Sequence, residues 1–372
     1  ILTQTNSMPL FYHRISRMRY LGRFIYFIIF ILLAFIGSRI LLYKDTFGSS
    51  VRELYIDHFA DDKSIQNLMN QNTKRCVFFS GFHMQSLART VFPEGNFSCI
   101  EPNARSVLLV GMHGSYEHIA PSQFQGTVLY VNGESRAHSI ERSALYLGPK
   151  LPIIPENRTM ELFYVSIAFV EIGERLLETR FEQSLKFESR PFFLLYMNRH
   201  CVAFREAAFD KLSTIDVAYA GGNCHGTSSK FVQQLTTSGG WVDAFKEFEQ
   251  FRFGLVMENT VQDGYITEKI LSAFSGGTVP IYYGSRQIFD IFNPESFIFF
   301  DPEEPQKALS YISFLNTNET AYNEMKSVPI FQEDAIKKYF SLFDHVGEGF
   351  LKQKIRSRIG WEELLRVSNS AG

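Results

Sequence analysis

Tyr265, Glu268 and Lys269 fall at i, i+3 and i+4 within the stretch Phe253–Gly284, FGLVMENTVQDGYITEKILSAFSGGTVPIYYG. On a helix that spacing puts the three side chains on one face. The first turn of a helix entered from a strand presents unpaired N–H groups and the positive end of the dipole, which suits a phosphate. A lysine there adds a full positive charge. A tyrosine beside it can stack or donate its hydroxyl. Glu268 opposes anion binding, so its place calls for a different role, either holding sugar hydroxyls or facing a developing cation. Asn259 adds an amide just upstream.

The elements that position these residues read as strand, loop, helix, turn, strand. Phe253–Met257 is a short apolar run of the kind a buried parallel strand shows. Glu258-Asn259-Thr260 ends it and Gly264 makes the turn. A helix is expected from Tyr265 or Ile266, with Ile266, Ile270, Ala273 and Phe274 facing inward. Gly276-Gly277 stops it, and Thr278–Tyr283 is the next strand. Two further residues stand where chemistry is possible. Arg205 opens an expected helix, Ala203–Leu212, and a guanidinium suits bidentate contact with phosphate. Glu134 follows the expected strand Thr127–Val131, at a position where a carboxylate can act as a base. His113, Glu117 and His118 are the alternatives to Glu134, and Arg199 the alternative to Arg205.

The string ENTxxxGYxTEKIxxAFxxGTVPIYYG closely resembles the donor-binding signature of the α1,3-fucosyltransferase family, family 10 of the glycosyltransferases. The likeness continues weakly through Phe292-Asn293-Pro294 and Ser296-Phe297-Ile298. It implies an α/β chain of the GT-B type, with two Rossmann-like domains facing a cleft. It implies GDP-fucose as donor and a glycan on a glycoprotein or glycolipid as acceptor. Transfer would be inverting, onto the 3-OH of N-acetylglucosamine. Carried over residue by residue, Arg205, Asn259 and Lys269 contact the diphosphate and Tyr265 the nucleotide or phosphate. Glu268 faces the ribose or the fucose, and Glu134 is the general base. No cofactor is required, and a divalent cation could stimulate product release. The chain has no Asp-x-Asp to hold a metal. Two other readings stay open: a GT-B transferase using another nucleotide sugar, and a non-catalytic lumenal glycan-binding protein.

The chain has 372 residues, 45% of them hydrophobic, and a net charge of −2. That suffices for two domains and leaves no basic excess for nucleic acid. Arg14, Arg17, Arg19 and Arg23 precede the apolar run Phe24–Tyr43, which has about the ~20 residues a membrane span needs. The basic flank predicts a cytosolic tail over 1–23, a signal-anchor over 24–43 and a lumenal remainder, a type II Golgi topology. A cleaved signal peptide is the rival reading, and Ile36-Gly37-Ser38 is a poor cleavage site for it. A stem is expected over 44–75, a Rossmann-like acceptor domain over 76–185 and a donor domain over 186–345. Met160–Leu177 reads as one core helix, Glu319–Ser327 as a shorter one, and the tail 346–372 as one amphipathic helix. Cys76, Cys99, Cys201 and Cys224 allow three pairings; Cys76–Cys99 with Cys201–Cys224 would close two local loops. Asn96, Asn157 and Asn318 head Asn-x-Ser/Thr triplets and are glycosylation candidates on a lumenal chain.

Overall fold

The computed structural model describes residues 75–362, apart from 82, 100, 112–123, 136–144, 178–186, 228–231 and 236–242. The expected tail, the anchor over 24–43, nearly all of the stem, and His113, Glu117 and His118 lie outside the described residues. Among the described residues no helix is long and apolar enough to cross a membrane. All of them belong to one compact unit, Thr73–Gly372.

Two parallel sheets carry the unit. The first comprises β1 (Val77–Ser80), β2 (Val107–Gly111), β3 (Thr127–Val131), β4 (Leu145–Gly148) and β5 (Thr159–Glu161), laid side by side in chain order. Every residue of β2 is buried, as a central parallel strand covered on both faces requires. α1 (Met84–Val91) follows β1 and turns Met84, Leu87, Ala88 and Val91 inward. The long helix expected over Met160–Leu177 is corrected. Met160 sits in β5 opposite Leu147, and the helix, α2, runs only from Tyr164 to Ile172. A uniformly apolar run has no periodicity to separate a three-residue strand from the helix that follows it.

The second sheet comprises β6 (Phe192–Asn198), β7 (Ala218–Gly222), β8 (Val232–Leu235), β9 (Phe251–Leu255), β10 (Val279–Tyr282) and β11 (Ile298–Phe299). Its helices are α3 (Ala203–Leu212), α4 (Ala244–Phe248), α5 (Glu268–Ser275), α6 (Gln306–Thr317) and α7 (Glu319–Ser327). The strand order is β11-β10-β9-β6-β7-β8. The chain therefore winds outward one way from β6 and the other way from β9. Connections on the two sides diverge there, which leaves a crevice at the carboxyl ends of β6 and β9, the usual ligand position in open α/β sheets.

α2 and α5 join the two sheets. Val165, Ala168, Phe169 and Ile172 of α2 share one core with Ile270, Leu271, Ala273 and Phe274 of α5. The Val165 N–H donates to Ile266 O at 2.9 Å, and Ser275 Oγ to Ile172 O at 3.0 Å. Disulfides join Cys76 to Cys99 and Cys201 to Cys224, so both local loops are closed.

After the second sheet the chain returns to the first through α8 (Phe350–Arg358). This helix stops before Gly360, whose φ is 62°, so the single tail helix expected over 346–372 is shorter than read. Leu351, Ile355 and Trp361 pack with Leu87, Val91 and Phe92. Trp361 is fully buried, its ring centroid 4.5 Å from that of Phe92, and its Nε1 donates to Glu94 at 2.5 Å. Trp361→Ala should cost about 3–5 kcal/mol, the usual range for emptying a buried aromatic site. Urea denaturation reads it as a lowered midpoint; an unchanged midpoint would mean that this returning segment does not hold the first sheet.

Candidate active site

Glu258 organises the donor side. It follows β9 and its N–H donates to Tyr283 O at 2.8 Å, prolonging the ladder to β10. The side chain is fully buried. Its carboxylate accepts the Thr267 N–H at 2.7 Å, the Thr267 hydroxyl at 2.8 Å and Lys269 Nζ at 3.3 Å. Burial pushes the Glu258 carboxyl up, while the Lys269 ammonium and the Thr267 donors favour its charged form. Burial works against the Lys269 ammonium, yet Glu268 and Glu258 hold it above the ordinary lysine range. Lys269 is therefore a cation at neutral pH, aimed by Glu258, by Thr267 Oγ1 at 2.8 Å and by Glu268 at 3.6 Å.

This grip explains a difference from the sequence reading. α5 starts at Glu268, not at Tyr265 or Ile266, because Thr267 is pinned in an extended conformation and serves as N-cap. Its hydroxyl goes to Glu258, so it makes no side-chain cap and leaves the first-turn amides without one. Glu268 and Lys269 are the first two helical residues, whereas Tyr265 lies in the preceding loop. The helix ends as expected. Gly277 adopts φ 70°, and the Gly277 and Thr278 N–H groups return to Phe274 O and Ala273 O at 2.8 and 2.9 Å.

Arg205 lies across the switch point on α3, whose bounds coincide with the sequence reading. It is 2% exposed. Its Nε donates to Glu258 O at 3.0 Å and its Nη1 to Asn198 Oδ1 at 2.8 Å. Among the described residues Nη2 has no hydrogen-bond partner although it is buried, and neither has Asn259 Oδ1. Buried polar atoms are normally paired, so these two mark a place for a polar ligand. Arg199 is exposed, and its backbone carbonyl accepts from the Asn223 amide at 3.5 Å. The loop between β6 and α3 is tied by Cys201–Cys224. Among the described residues Cys201, Glu206 and Cys224 are the one cluster compact enough for a metal ion. The disulfide removes both thiolates, and Glu206 already accepts from Tyr196 and from the Gly226 N–H.

Tyr265 closes the gap between the sheets. The ring is 2% exposed, and the hydroxyl donates to Glu134 Oε2 at 3.3 Å. Glu134 follows β3; its N–H donates to Asn132 Oδ1 at 2.9 Å, and the buried Asn132 amide donates to the Tyr146 hydroxyl at 2.8 Å. The loop before Tyr265 fits because Gly264, at φ 78°, has no Cβ; one would lie 2.7 Å from Pro149 Cβ. The structure thus brings Arg205, Asn259, Tyr265, Glu268 and Lys269 around one crevice, with Glu134 reaching it from the first sheet. Sequence reading missed Glu258, which it took only as the end of a strand, and Thr267. The signal was present: a charged residue directly after an unbroken apolar run is on course to be buried.

The Glycosyltransferase family 10 (fucosyltransferase) C-terminal profile matches residues 195–327. The Alpha-(1,3)-fucosyltransferase FucT of Helicobacter pylori is 36% identical over 123 residues, 32% of this chain and 24% of that protein. GDP-fucose protein O-fucosyltransferase 3 of Danio rerio is 39% identical over 82 residues, 22% of this chain and 18% of that protein. The chain thus spans a quarter or less of these relatives. A crystal structure of an alpha1,3-fucosyltransferase with GDP-fucose superposes with a TM-score of 0.52 at 16% identity, covering 78% of this chain and 90% of that one. The fold is accordingly GT-B.

The site's geometry yields a binding test. Lys269→Ala removes a directed cation whose two carboxylate neighbours stay behind, so GDP affinity should fall by a few kcal/mol, on the order of a charge-assisted contact. Calorimetric titration with GDP measures it, and unchanged affinity would remove Lys269 from the site. The resemblance carried by Phe253–Gly284 thus extends over residues 195–327, the part of the chain that is similar to the C-terminal domain of glycosyltransferase family 10.

Proposed function

We propose that this chain transfers L-fucose from GDP-fucose to an acceptor hydroxyl with inversion. The observation that carries the reading is the meeting of Tyr265 with Glu134 at 3.3 Å, beside the unpartnered Nη2 of Arg205. In this reading the diphosphate lies between Arg205, Asn259, Lys269 and the first turn of α5. Directed donors in a buried site stabilise the charge that GDP gains as the glycosidic bond breaks. Tyr265 bridges from the phosphate side to the base. Glu268, at the mouth of the same turn, faces the ribose or the cationic sugar ring. No step is assigned to a metal; diphosphate charge is met by protein cations, and a divalent ion would act on product release.

The acceptor hydroxyl attacks the fucose face opposite GDP and loses its proton as the bond forms. Glu134 takes that proton, because it comes from the first sheet while the diphosphate is held by the second. The 3-OH of N-acetylglucosamine on a glycoprotein or glycolipid is the acceptor we favour. A protein hydroxyl is the second reading, supported by likeness to a protein O-fucosyltransferase over 82 residues. Both disulfides suit an oxidising lumen. With the run 24–43 they support a type II Golgi protein whose catalytic part is lumenal. Asn157 is exposed and open to glycosylation; Asn96 and Asn318 are half-buried, and Asn318 Oδ1 already accepts the Ala321 N–H at 3.0 Å.

Glu134→Gln keeps the shape and removes the basicity. Transfer should fall by at least ~100-fold, within the range of a general base, with GDP affinity nearly unchanged. The measurement is single-turnover transfer from GDP-fucose to a panel of glycans and hydroxyl-bearing peptides. Near wild-type turnover in the folded variant would withdraw Glu134 and turn attention to Glu117 and His113.

A further inference from the structure

Behind Glu134 lies a second set of polar side chains, His83 buried and Tyr164 and Glu171 half-buried, for which the proposed reaction has no use. His83 Nδ1 is 2.9 Å from Glu171 Oε2, and His83 Nε2 is 2.7 Å from the Tyr164 hydroxyl. The His83 side chain is 3% exposed. Its backbone is left-handed, φ 65°, although it is not glycine. Residues other than glycine are uncommon there, histidine less so than most, and they cluster at functional sites. Burial pushes the Glu171 carboxyl up, but hydrogen bonds from His83 and Ser86 more than reverse this and leave it below the usual range. Glu171 is thus a carboxylate that accepts from Nδ1. In the neutral ring this fixes the tautomer, so Nε2 accepts the Tyr164 proton.

Tyr164 is the link to the cleft. It opens α2, and the next N–H, that of Val165, is the one bonded to Ile266 beside Tyr265. Its ring packs against Gly133, where an added Cβ would sit 2.1 Å from Tyr164 Cδ2. Gly133 immediately precedes Glu134. Burial and the charges of Glu268, Glu134 and Glu171 push the Tyr164 hydroxyl well up, so it keeps its proton.

We propose that Tyr164 is a positioning residue for Glu134. Glu171 orients His83, His83 locks the Tyr164 ring through its hydroxyl, and the ring fixes the Gly133–Glu134 segment against Tyr265. This rests on the reading of Glu134 as the base. The bland alternative is a core hydrogen-bond chain that only stabilises the fold. Misplacing a catalytic group by about 1 Å costs rate rather than donor binding, and a brace acts only while the group it places is present. Those two properties separate the alternatives.

The test measures transfer from GDP-fucose and GDP affinity for the wild type, Tyr164→Phe, His83→Asn, Glu134→Gln and the double variant Tyr164→Phe/Glu134→Gln. Asparagine tolerates the left-handed backbone of His83, so His83→Asn carries the test should Tyr164→Phe fold poorly. Tyr164→Phe and His83→Asn should each lose about tenfold in kcat, with GDP affinity unchanged. The double variant should be no slower than Glu134→Gln alone, since coupled residues are not additive. Wild-type kcat in folded Tyr164→Phe, or the same tenfold loss repeated on top of Glu134→Gln, overturns the brace. Failure of the underlying reading looks different: the wild type moves no fucose, or Glu134→Gln turns over normally.

Discussion

A carboxylate with no access to water sits at the centre of this molecule, and the donor side is built from what keeps it there. An isolated buried charge is too costly to hold, so Glu258 must collect donors. It collects the Thr267 N–H, the Thr267 hydroxyl and the Lys269 ammonium. Each of these has a second consequence. Taking the Thr267 hydroxyl leaves the first turn of α5 without a side-chain cap. Taking the Thr267 N–H sets where the helix begins. Taking the ammonium aims Lys269 at the crevice rather than at solvent. The Glu258 backbone carbonyl meanwhile receives Arg205 Nε. One residue therefore fixes both cations and the helix terminus between them.

The switch point makes such a residue possible. β6 and β9 are neighbours in the sheet, yet their following connections lead in opposite directions. The Arg205 side chain from one connection can then reach the Glu258 backbone carbonyl in the other. The first sheet has no reversal, since its strands follow in chain order. It contributes a loop end, Glu134, and needs a rigid attachment to the second sheet for that loop to be useful. α2 and α5 supply this with a shared apolar core and with the Val165–Ile266 hydrogen bond, whose two residues directly follow Tyr164 and Tyr265.

The sequence was most legible where local chemistry and tertiary structure agree. α3 and α7 have the expected bounds, and the double-glycine stop of α5 is where it was read. Of the residues assigned to the site from a family likeness, Arg205 and Lys269 both bond to Glu258, Glu268 lies beside Lys269, and Tyr265 meets Glu134. Legibility failed where long-range contacts decide. β4 and β5 are short, and only pairing in the sheet distinguishes β5 from the helix after it. The start of α5 depends on Glu258, nine residues before Thr267, and no helical periodicity records that bond. His83, Tyr164 and Glu171 are separated by 81 and 88 residues in their two contacts. Nothing in their local sequence points to one another.

The balance of charge in the crevice says how it selects a ligand. On the donor side Arg205 and Lys269 are set against Glu258 and Glu268, and Glu134 adds a third carboxylate from the first sheet. A diphosphate is therefore not drawn in by a surplus of positive charge. What the crevice offers is direction: Arg205 Nη2 without a partner, an ammonium held by three oxygens, and helix amides left uncapped by Thr267. Donors fixed in advance cost no reorganisation when negative charge grows on a leaving group. The same carboxylates that cancel the net charge hold the donors still. Glu268 belongs to that arrangement, because its carboxylate lies 3.6 Å from the Lys269 ammonium and helps to hold it.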